Sequence, residues 1–381
     1  MMTDRPRKVL IVVNSAAFFI SHRLAFARTA RDRGYDVSVV TSEGPGVRAI
    51  RDENFDWHPL TIDHGRIRPM RDARTILELV SLYLRLRPDI VHHVTAKPVL
   101  YGTLAARLTG VPRVINAITG MGYLFTGRRA ALRALGLAAY KTFLHHRDLR
   151  VVVQNREDLA LFTTHRLTRP DALRTVRGVG VDLSRFSPAA RRPAGPTVVQ
   201  VSRMLGDKGV REFIAAARLV KQRHPGARFC LVGDTDPLNP TSLTEGELQE
   251  AVRSGAVEWL GLRHDPENVL RDATIYCLPS YREGLPKSLV EAAACALPLV
   301  ATDTSGCREV VLDGVNGLLV PVGDAGALAA AIERLLDEPE TARRMGERAR
   351  QFAMDNFSSA DLVDQMLQLY VEPPLARTNH L

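Results

Sequence analysis

Two series of short apolar runs, each run followed by a segment of helical periodicity, constrain the fold of this 381-residue chain more than any other feature. An apolar run of strand length is typical of a parallel strand that is buried on both faces, and its alternation with helices predicts β-α-β units. The predicted strands of the first series are Lys8–Val13, Val37–Thr41, Ile90–His93, Arg113–Ile118 and Arg150–Gln154. Those of the second series are Thr197–Ser202, Arg228–Val232, Val257–Leu260, Ile275–Leu278 and Leu299–Ala301.

The two series predict two domains, because the chain is longer than one hydrophobic core usually organises. Residues 184–196 read SRFSPAARRPAGP, and this content of Pro, Ser and Arg is typical of a linker. We therefore expect a Rossmann-like domain over residues 1–183 and a second one over residues 197–356. Residues 357–381 are predicted to form a C-terminal helix and a tail, since Phe357–Tyr370 places apolar side chains on one helical face.

The segment Ser280–Pro298, SYREGLPKSLVEAAACALP, sets two carboxylates around a predicted helix start. Pro286 is predicted as the first helical residue, because its fixed φ suits a helix and its missing N–H has no intrahelical partner there. Glu283 precedes this helix and Glu291 lies within it. The unpaired N–H groups of a helix start form an anion site, and Gly284 allows a ligand to approach the backbone. The pattern favours a diphosphate held between two sugar-binding carboxylates.

This segment resembles the nucleotide-sugar site of family 4 retaining glycosyltransferases, which share the GT-B fold. The segment VSRMLGDKG resembles the family's phosphate clamp, an Arg and a Lys separated by four residues, here Arg203 and Lys208. ARFCLVGD, VEWLGLRHD and PLVATDTSGCREVVLDGVNGLLVPVGD follow in the family's order. HHVTAKPVLYGTLAARLTGVPRVINAITGMGY resembles the bacterial branch that extends lipid-linked or capsular polysaccharide precursors. The resemblance implies an α/β fold of two Rossmann-like domains whose parallel sheets face an interdomain cleft, with the last helix returning to the N-terminal, acceptor-binding domain.

The resemblance also implies roles for these side chains. Arg203 and Lys208 stabilise the leaving nucleoside diphosphate, which develops negative charge as the glycosidic bond breaks. Glu283 holds hydroxyls of the transferred sugar and Glu291 holds the ribose, each charged hydrogen bond contributing ~1.5–3 kcal/mol. The leaving phosphate accepts the acceptor's proton, so retention needs no protein nucleophile. We thus predict Glu283, Arg203 and Lys208 as catalytic residues.

Further donor contacts are predicted from the same resemblance. Backbone groups near residues 260–263 recognise the base, and the remaining contacts lie in the loop before the Glu291 helix. The predicted donor-binding residues are Glu291, Gly284, Leu285, Pro286, Lys287, Leu262 and Arg263. No cofactor or metal is expected: Asp234-Thr235-Asp236 has the spacing of an Asp-x-Asp metal motif, but that motif belongs to another glycosyltransferase fold.

The acceptor side departs from the family pattern. Thr119, in AITGMGY, replaces a His that related enzymes place near the reacting sugar, and NSAAFFISHR replaces a Gly-Gly after the first strand. Of the adjacent His92 and His93, we expect one to be packed and the other to face the cleft, because neighbouring side chains on a strand point to opposite faces. The predicted acceptor-side residues are Asn14, Ser15, His22, His93, Lys97, Thr119 and Gly120.

Positive charge is concentrated in the first half of the chain. Residues 1–180 contain 29 Lys and Arg against 15 Asp and Glu, a balance of +14, whereas the remainder has a balance of −5. Nucleic acid is not expected as a partner, because no binding motif is present and aromatic residues make up only 6% of the chain. Segment Gly127–Arg150 places a leucine stripe among basic residues, including Arg128, Arg129 and Arg133, so it either lies on an anionic membrane surface or packs against the sheet.

The location of the protein follows from its apolar segments. Residues 9–13 follow three basic residues as in a signal peptide, but Asn14 and Ser15 break the run, which favours a buried first strand. No stretch reaches the ~20 apolar residues of a membrane span. We expect a cytoplasmic protein, peripheral on the inner face of the cytoplasmic membrane, with four reduced cysteines.

The predicted function is transfer of a sugar from a UDP-hexose or UDP-N-acetylhexosamine to a polyprenyl-diphosphate-linked saccharide. A sugar-nucleotide 2-epimerase of the same fold and a non-catalytic transferase-derived regulator are the alternatives. The clamp and both glutamates argue against each of them, because an epimerase uses other motifs and a regulator is expected to lose at least one of the four residues. A Rossmann dehydrogenase would require Gly-x-Gly-x-x-Gly after the first strand, where NSAAFF stands.

Overall fold

The structure is a computed structural model that describes residues 5–63, 68–121, 130–190, 195–237 and 239–375, with side chains omitted at 130–133. It divides into two compact units. The first comprises Met1–Val179 and Asp361–Leu381, and the second comprises Gly180–Ala360. The segment predicted as a linker belongs to the second unit.

The first unit is built on a seven-stranded parallel sheet of order β3-β2-β1-β4-β5-β6-β7. Its strands are β1 Lys8–Val13, β2 Asp36–Thr41, β3 Asp56–Pro59, β4 Ile90–Val94, β5 Arg113–Ala117, β6 Leu149–Val153 and β7 Leu173–Thr175. Its helices are α1 Ala16–His22, α2 Leu24–Asp32, α3 Val47–Asp52, α4 Pro69–Leu86, α5 Ala96–Thr109, α6 Ala130–Phe143 and α7 Arg156–Thr164. All side chains of β4, β5 and β6 are buried, as expected for strands covered by helices on both faces.

The second unit is built on a six-stranded parallel sheet of order β10-β9-β8-β11-β12-β13. Its strands are β8 Thr197–Val201, β9 Arg228–Val232, β10 Glu258–Trp259, β11 Ile275–Leu278, β12 Leu299–Thr302 and β13 Gly317–Val320. Its helices are α8 Val210–Arg223, α9 Glu245–Arg253, α10 Pro266–Arg271, α11 Lys287–Ala294, α12 Ser305–Arg308, α13 Ala325–Asp337 and α14 Pro339–Asn356.

The last helix, α15 (Ser359–Val371), packs on the first unit. The Tyr370 hydroxyl lies 2.8 Å from His92 Nδ1 in β4. Arg113, at the start of β5, donates to the Tyr370 carbonyl at 2.8 Å. These contacts fix the end of the helix against the sheet edge that carries the strand starts.

The predicted fold class, two α/β units on parallel sheets, is confirmed, and the differences concern edge strands. The sequence prediction omitted β3, β7 and β13, and β10 is shorter than the predicted Val257–Leu260. All four are outermost strands. For β3 the reason is burial: an outermost strand lacks one neighbour and needs no continuous apolar run, and β3 reads DWHP with no fully buried residue. β13 differs, because its GLLV run is apolar and mostly buried but only four residues long.

Both sheets have a topological switch point, where the strand order reverses. In the first sheet it lies between β1 and β4, and in the second between β8 and β11. Ligands of such sheets bind beyond the carboxyl ends of the strands at this point. The loops that follow β8 and β11 are therefore where the second unit is expected to bind a ligand.

Candidate active site

The first component of the site is the loop that follows β8. Lys208 ends a short 3₁₀ turn, Gly206–Lys208, and Gly209 then adopts a left-handed conformation with φ +69°. A Cβ on Gly209 would lie 2.0 Å from the Pro279 carbonyl oxygen, so only glycine permits this approach. The buried Gln200 side chain donates to the Lys208 carbonyl at 2.8 Å. The turn is thus held against the neighbouring strand end, and it points Lys208 toward the loop that follows β11.

Lys208 and Glu283 form the centre of the site. The Lys208 Nζ donates to Glu283 Oε1 at 2.6 Å, with the two side chains 25% and 9% exposed. The residues are 75 positions apart in sequence, and the two strands that precede them are neighbours in the sheet. The sequence predicted both residues, and the structure brings them into contact at the switch point.

The loop that carries Glu283 is fixed by hydrogen bonds and by close packing. The buried Ser280 hydroxyl lies 3.1 Å from both the Asp207 and the Arg282 carbonyl oxygens. Thr302, at the end of β12, donates to the Ser280 carbonyl. Gly306 in α12 packs so closely that a Cβ there would lie 2.6 Å from the Glu283 carbonyl oxygen. The site is therefore preorganised by backbone contacts from three strand ends.

Helix α11 begins one residue later than predicted. Pro286 has φ −76° and ψ 105° and is the N-cap, so its prediction as the first helical residue is wrong. Its carbonyl already accepts from the Leu289 and Val290 N–H groups, which leaves Lys287 as the first helical residue. Within the described ranges, the N–H groups of Lys287 and Ser288 have no acceptor. The start of the helix retains the donors that an anion requires.

Glu291 is the second carboxylate of the site. It is 6% exposed, and its Oε1 accepts from Lys287 Nζ at 2.5 Å, one turn earlier in α11. Nearby, the buried Tyr276 hydroxyl lies 2.6 Å from Ser288 Oγ. Burial raises the pKa of Tyr276 well above its usual value, and the charges of Glu291 and Glu283 raise it further. Both carboxylates therefore lie near one buried phenol.

Tyr276 and Gln200 are residues that the sequence interpretation missed. Each lies inside an apolar strand, Tyr276 in β11 and Gln200 in β8, and each is fully buried. A polar side chain within an otherwise apolar central strand could have marked each of them in the sequence as a possible site residue.

Arg203 lies apart from the Lys208–Glu283 pair. It is 58% exposed and pairs with Asp236 at 2.6 Å between Nη1 and Oδ2. Asp236 thus has a cation partner, and Asp234 Oδ1 accepts from the Leu262 N–H at 3.1 Å. Asp234 thus holds a loop contact to Leu262, and Asp236 an ion pair with Arg203. In the described parts of the chain, no group of three or more His, Cys, Asp or Glu is arranged to hold a metal ion.

The remaining predicted donor residues lie on exposed or half-buried loops. Leu262 is 58% exposed, and Arg263 makes a two-point ion pair with Asp265, with both distances 2.9 Å. Gly284 and Leu285 are half-buried in the loop before α11.

In the first unit, His93 contradicts its predicted acceptor-side role. Both His92 and His93 are fully buried, on opposite faces of β4. His93 Nδ1 lies 2.8 Å from Asn116 Oδ1, and its Nε2 lies 2.8 Å from the Tyr83 hydroxyl. Burial lowers the pKa of His93 to about 4, so the ring is neutral at pH 7. The expectation that one histidine faces the cleft is wrong, because helices cover both faces of this central strand.

Lys97 also has a structural partner. Its Nζ donates to Asp72 Oδ1 at 2.7 Å, and the two side chains are 15% and 10% exposed. The pair joins the start of α5 to the first turn of α4. Any acceptor phosphate at Lys97 would compete with this carboxylate.

The other acceptor-side residues lie at or near strand ends. Ser15 caps α1 by accepting from the Phe18 N–H at 3.4 Å, and the carbonyl of Asn14 accepts from the Ser42 hydroxyl. His22 stacks on Phe18, with ring centroids 4.1 Å apart. Thr119 is half-buried and Gly120 is exposed, and both follow β5. Arg128 and Arg129 of the predicted membrane segment lie outside the described residues, as does the side chain of Arg133.

Two parallel-sheet units, with Lys208, Glu283 and Glu291 beside the switch point of the second sheet, have the architecture of GT-B glycosyltransferases. The family model "Glycosyl transferase 4-like" matches residues 8–155, and "Glycosyl transferases group 1" matches residues 186–352. The chain belongs to these glycosyltransferase families, each of its halves matching one of them.

Full-length relatives are similar at modest identity. An N,N'-diacetylbacillosaminyl-diphospho-undecaprenol alpha-1,3-N-acetylgalactosaminyltransferase of Campylobacter jejuni is 26% identical over 92% of this chain and 97% of the relative. A UDP-Gal:alpha-D-GlcNAc-diphosphoundecaprenol alpha-1,3-galactosyltransferase of Escherichia coli is 24% identical over 89% of each chain. The capsular polysaccharide biosynthesis glycosyltransferase CapM of Staphylococcus aureus is 22% identical over 89% of this chain and 90% of its own.

Solved structures share the fold at lower identity. Sucrose-phosphate synthase from Thermosynechococcus elongatus has a TM-score of 0.76 and 20% identity, covering 96% of this chain and 98% of its own. Anabaena HepE in complex with UDP-glucose also has a TM-score of 0.76, at 18% identity, covering 96% of this chain and 99% of its own. In the part of the chain that the structure describes, no helix is long and apolar enough to cross a membrane.

Proposed function

We propose that this enzyme transfers a hexose or N-acetylhexosamine from a UDP-sugar to a polyprenyl-diphosphate-linked saccharide in bacterial surface polysaccharide synthesis. The observation that carries the proposal is the Lys208–Glu283 pair at the switch point of the second sheet. One side chain supplies a cation for a leaving diphosphate, and the other supplies an acceptor for sugar hydroxyls.

The relatives support the acceptor class. The names of the C. jejuni and E. coli relatives each specify an acceptor joined to undecaprenol through a diphosphate. The name of the E. coli relative also specifies a UDP-linked donor, and HepE was solved with UDP-glucose. These relatives span nearly the whole of this chain, which supports extending both substrate classes to it.

The arrangement of charge suits transfer with departure of a diphosphate. Lys208 donates to Glu283 in the structure, and a bound diphosphate would add a second acceptor for the same ammonium group. Backbone N–H groups at the start of α11 would stabilise the same phosphates, since donors aimed at developing charge lower the barrier most. Arg203, paired with the half-buried Asp236, would complete the clamp by exchanging that carboxylate for phosphate.

The stereochemical outcome proposed is retention, with the leaving phosphate accepting the proton of the acceptor hydroxyl. Glu283 would hold the sugar and Glu291 the ribose. A glycosyl-enzyme detected by intact mass in the wild-type protein and absent from Glu283→Gln would replace this scheme with a double displacement. No metal or cofactor is assigned a step; loss of turnover on addition of a chelator would contradict that assignment.

The location proposed is peripheral, on the inner face of the cytoplasmic membrane. The support is the +14 balance of residues 1–180 and the lipid-linked acceptors of the relatives. Changing Arg128, Arg129 and Arg133 together to Glu should release the protein from anionic liposomes while leaving UDP affinity unchanged. Unaltered liposome binding would defeat the membrane-segment proposal.

The function is tested by incubating the protein with radiolabelled UDP-sugars and bacterial polyprenyl-diphosphate lipids. Label should enter the organic phase from one donor, and Glu283→Ala should abolish the transfer. Glu245→Ala, at an exposed carboxylate in the first turn of α9, is the matched control and should keep full activity. Conversion of a UDP-sugar without acceptor would instead support a 2-epimerase, and binding without any conversion would support a regulator.

A further inference from the structure

Arg23 is a buried cation that has no ion-pair partner among the described residues. It lies at the junction of α1 and α2 and is 3% exposed. Within the described ranges its side chain makes no ion pair, and its Nε is buried without a hydrogen-bond acceptor. The other two arginines buried in the described residues have carboxylate partners: Arg113 pairs with Asp148 at 2.8 Å, and Arg150 pairs with Asp148 at 2.7 Å. The environment of Arg23 is therefore unlike that of the structural arginines in the same unit.

The charge on Arg23 persists at neutral pH. Burial lowers the pKa of Arg23 to about 10, which still leaves the guanidinium protonated at pH 7. An uncompensated buried charge is strongly destabilising, and proteins normally supply a counter-charge or a hydrogen-bonding ligand. The described protein residues supply neither here.

A second unpartnered nitrogen lies close by. His92 Nδ1 is 2.8 Å from the Tyr370 hydroxyl, whereas His92 Nε2 is buried and, in the part of the chain that the structure describes, has no hydrogen-bond partner. Burial lowers the pKa of His92 well below its usual value, and the positive charge of Arg23 lowers it further, so the ring is neutral. If the Tyr370 hydroxyl donates to Nδ1, the proton of the ring is on Nε2, which makes it a second buried donor.

Arg23 lines a small cavity in the first unit. Its walls include His22, Phe26, Val179 and Met366, together with the backbone of Gly178. None of the described lining residues is acidic. Phe26 also touches His92, with ring centroids 5.2 Å apart, so the histidine lies behind the cavity wall. The cavity is too small for a nucleotide, and Arg23 is the only Lys, Arg, Asp or Glu among its described lining residues.

We propose that the Arg23 cavity binds a small oxyanion of the phosphate class, held by the planar donor fork of the guanidinium. A guanidinium suits phosphate because it presents parallel N–H donors to two oxygens at once. All residues of this cavity belong to the first unit, so the site is distinct from the diphosphate clamp at Arg203 and Lys208 in the second unit. The inference does not depend on the identity of the transferred sugar.

The experiment uses full-length protein carrying Arg203→Gln and Lys208→Gln, which remove the clamp cations so that phosphate reports on Arg23. Thermal unfolding is followed while inorganic phosphate replaces chloride at constant ionic strength. The unfolding midpoint should rise with phosphate concentration, because a ligand that binds only the folded state stabilises it. Adding Arg23→Gln should abolish the rise. Adding Arg48→Gln instead, at a side chain that is 95% exposed, should leave it intact.

A second readout distinguishes loss of binding from loss of folding. Without phosphate, Arg23→Gln should unfold at the same temperature as its parent or a higher one, since an unpaired buried charge has been removed. In phosphate, Arg23→Gln should unfold at a lower temperature than its parent, because only the parent gains stability from the bound anion. Titration with geranyl diphosphate separates the sources of the anion: a rise with phosphate identifies a free oxyanion, and a rise only with geranyl diphosphate identifies a lipid headgroup. No rise with either compound, or a rise that survives Arg23→Gln, would overturn the proposal.

Discussion

Gly306 should control the position of the Glu283 loop. An alanine there would place its Cβ 2.6 Å from the Glu283 carbonyl oxygen and 2.7 Å from that of Gly284, whereas ordinary contacts begin at 3.4 Å. The loop must therefore retreat by about 0.7 to 0.8 Å, because both obstructing atoms are backbone and cannot rotate away. Overpacking of this kind costs ~1–3 kcal/mol of stability. A misplacement near 1 Å can cost up to ~100-fold in rate. We expect Gly306→Ala to lower kcat/KM by ~10–100-fold.

The assay is transfer of label from the UDP-sugar to polyprenyl-diphosphate lipid, with UDP affinity measured by calorimetry. Gly226→Ala is the matched control, because a Cβ at that position meets nothing within 4 Å. It should leave activity and UDP affinity unchanged. If Gly306→Ala kept wild-type kcat/KM while folding normally, the contact would not position the loop and the reasoning would be refuted.

Three further predictions follow from the charges and the buried histidines. Asp236→Asn removes the half-buried ion-pair partner of the exposed Arg203. Because pairs with an exposed member contribute ~0–1 kcal/mol, UDP should bind up to ~5-fold more tightly at low salt. Weaker UDP binding by calorimetry would mean that Asp236 holds Arg203 in its binding position. Lys208→Gln should lower kcat/KM by ~100-fold or more, and Lys208→Arg should lower it much less, because Arg keeps the positive charge. Equal losses of kcat/KM for the two variants in steady-state kinetics would show that charge is not what Lys208 contributes. His93 has a pKa of about 4 when folded and about 6.5 when unfolded, so the unfolded state binds more protons between these values. This adds ~3 kcal/mol to the free energy of unfolding, and the whole amount is present above pH 6.5. It is lost as the pH falls toward 4, so the denaturation midpoint should fall between pH 6.5 and 4. A denaturation midpoint that stayed flat from pH 7 to 4.5 would contradict the burial argument.

The candidate site was largely accessible from sequence because its residues follow strands that are themselves easy to recognise. Lys208 and Glu283 lie in the loops that follow two buried central strands, and the switch-point rule then places both loops at one edge of the sheet. The interpretation failed at Pro286 by one residue, since helix propensity does not decide between the N-cap and the first helical position. It failed at His93 because a histidine in a strand reads the same whether helices or solvent cover it.

The sequence by itself determined the two-unit parallel-sheet fold, because strands buried on both faces appear as short, mostly apolar runs. It also determined the motifs that assign the family. Only the tertiary structure decided which charges meet: Lys208 with Glu283, Arg203 with Asp236, Lys97 with Asp72, and Arg23 with no partner among the described residues. The edge strands were likewise decided by their neighbours. The physical reason is the separation along the sequence of the residues that each feature involves. Burial periodicity and helix starts are encoded within a few residues, whereas an ion pair or an unpaired buried charge depends on segments that only folding brings together.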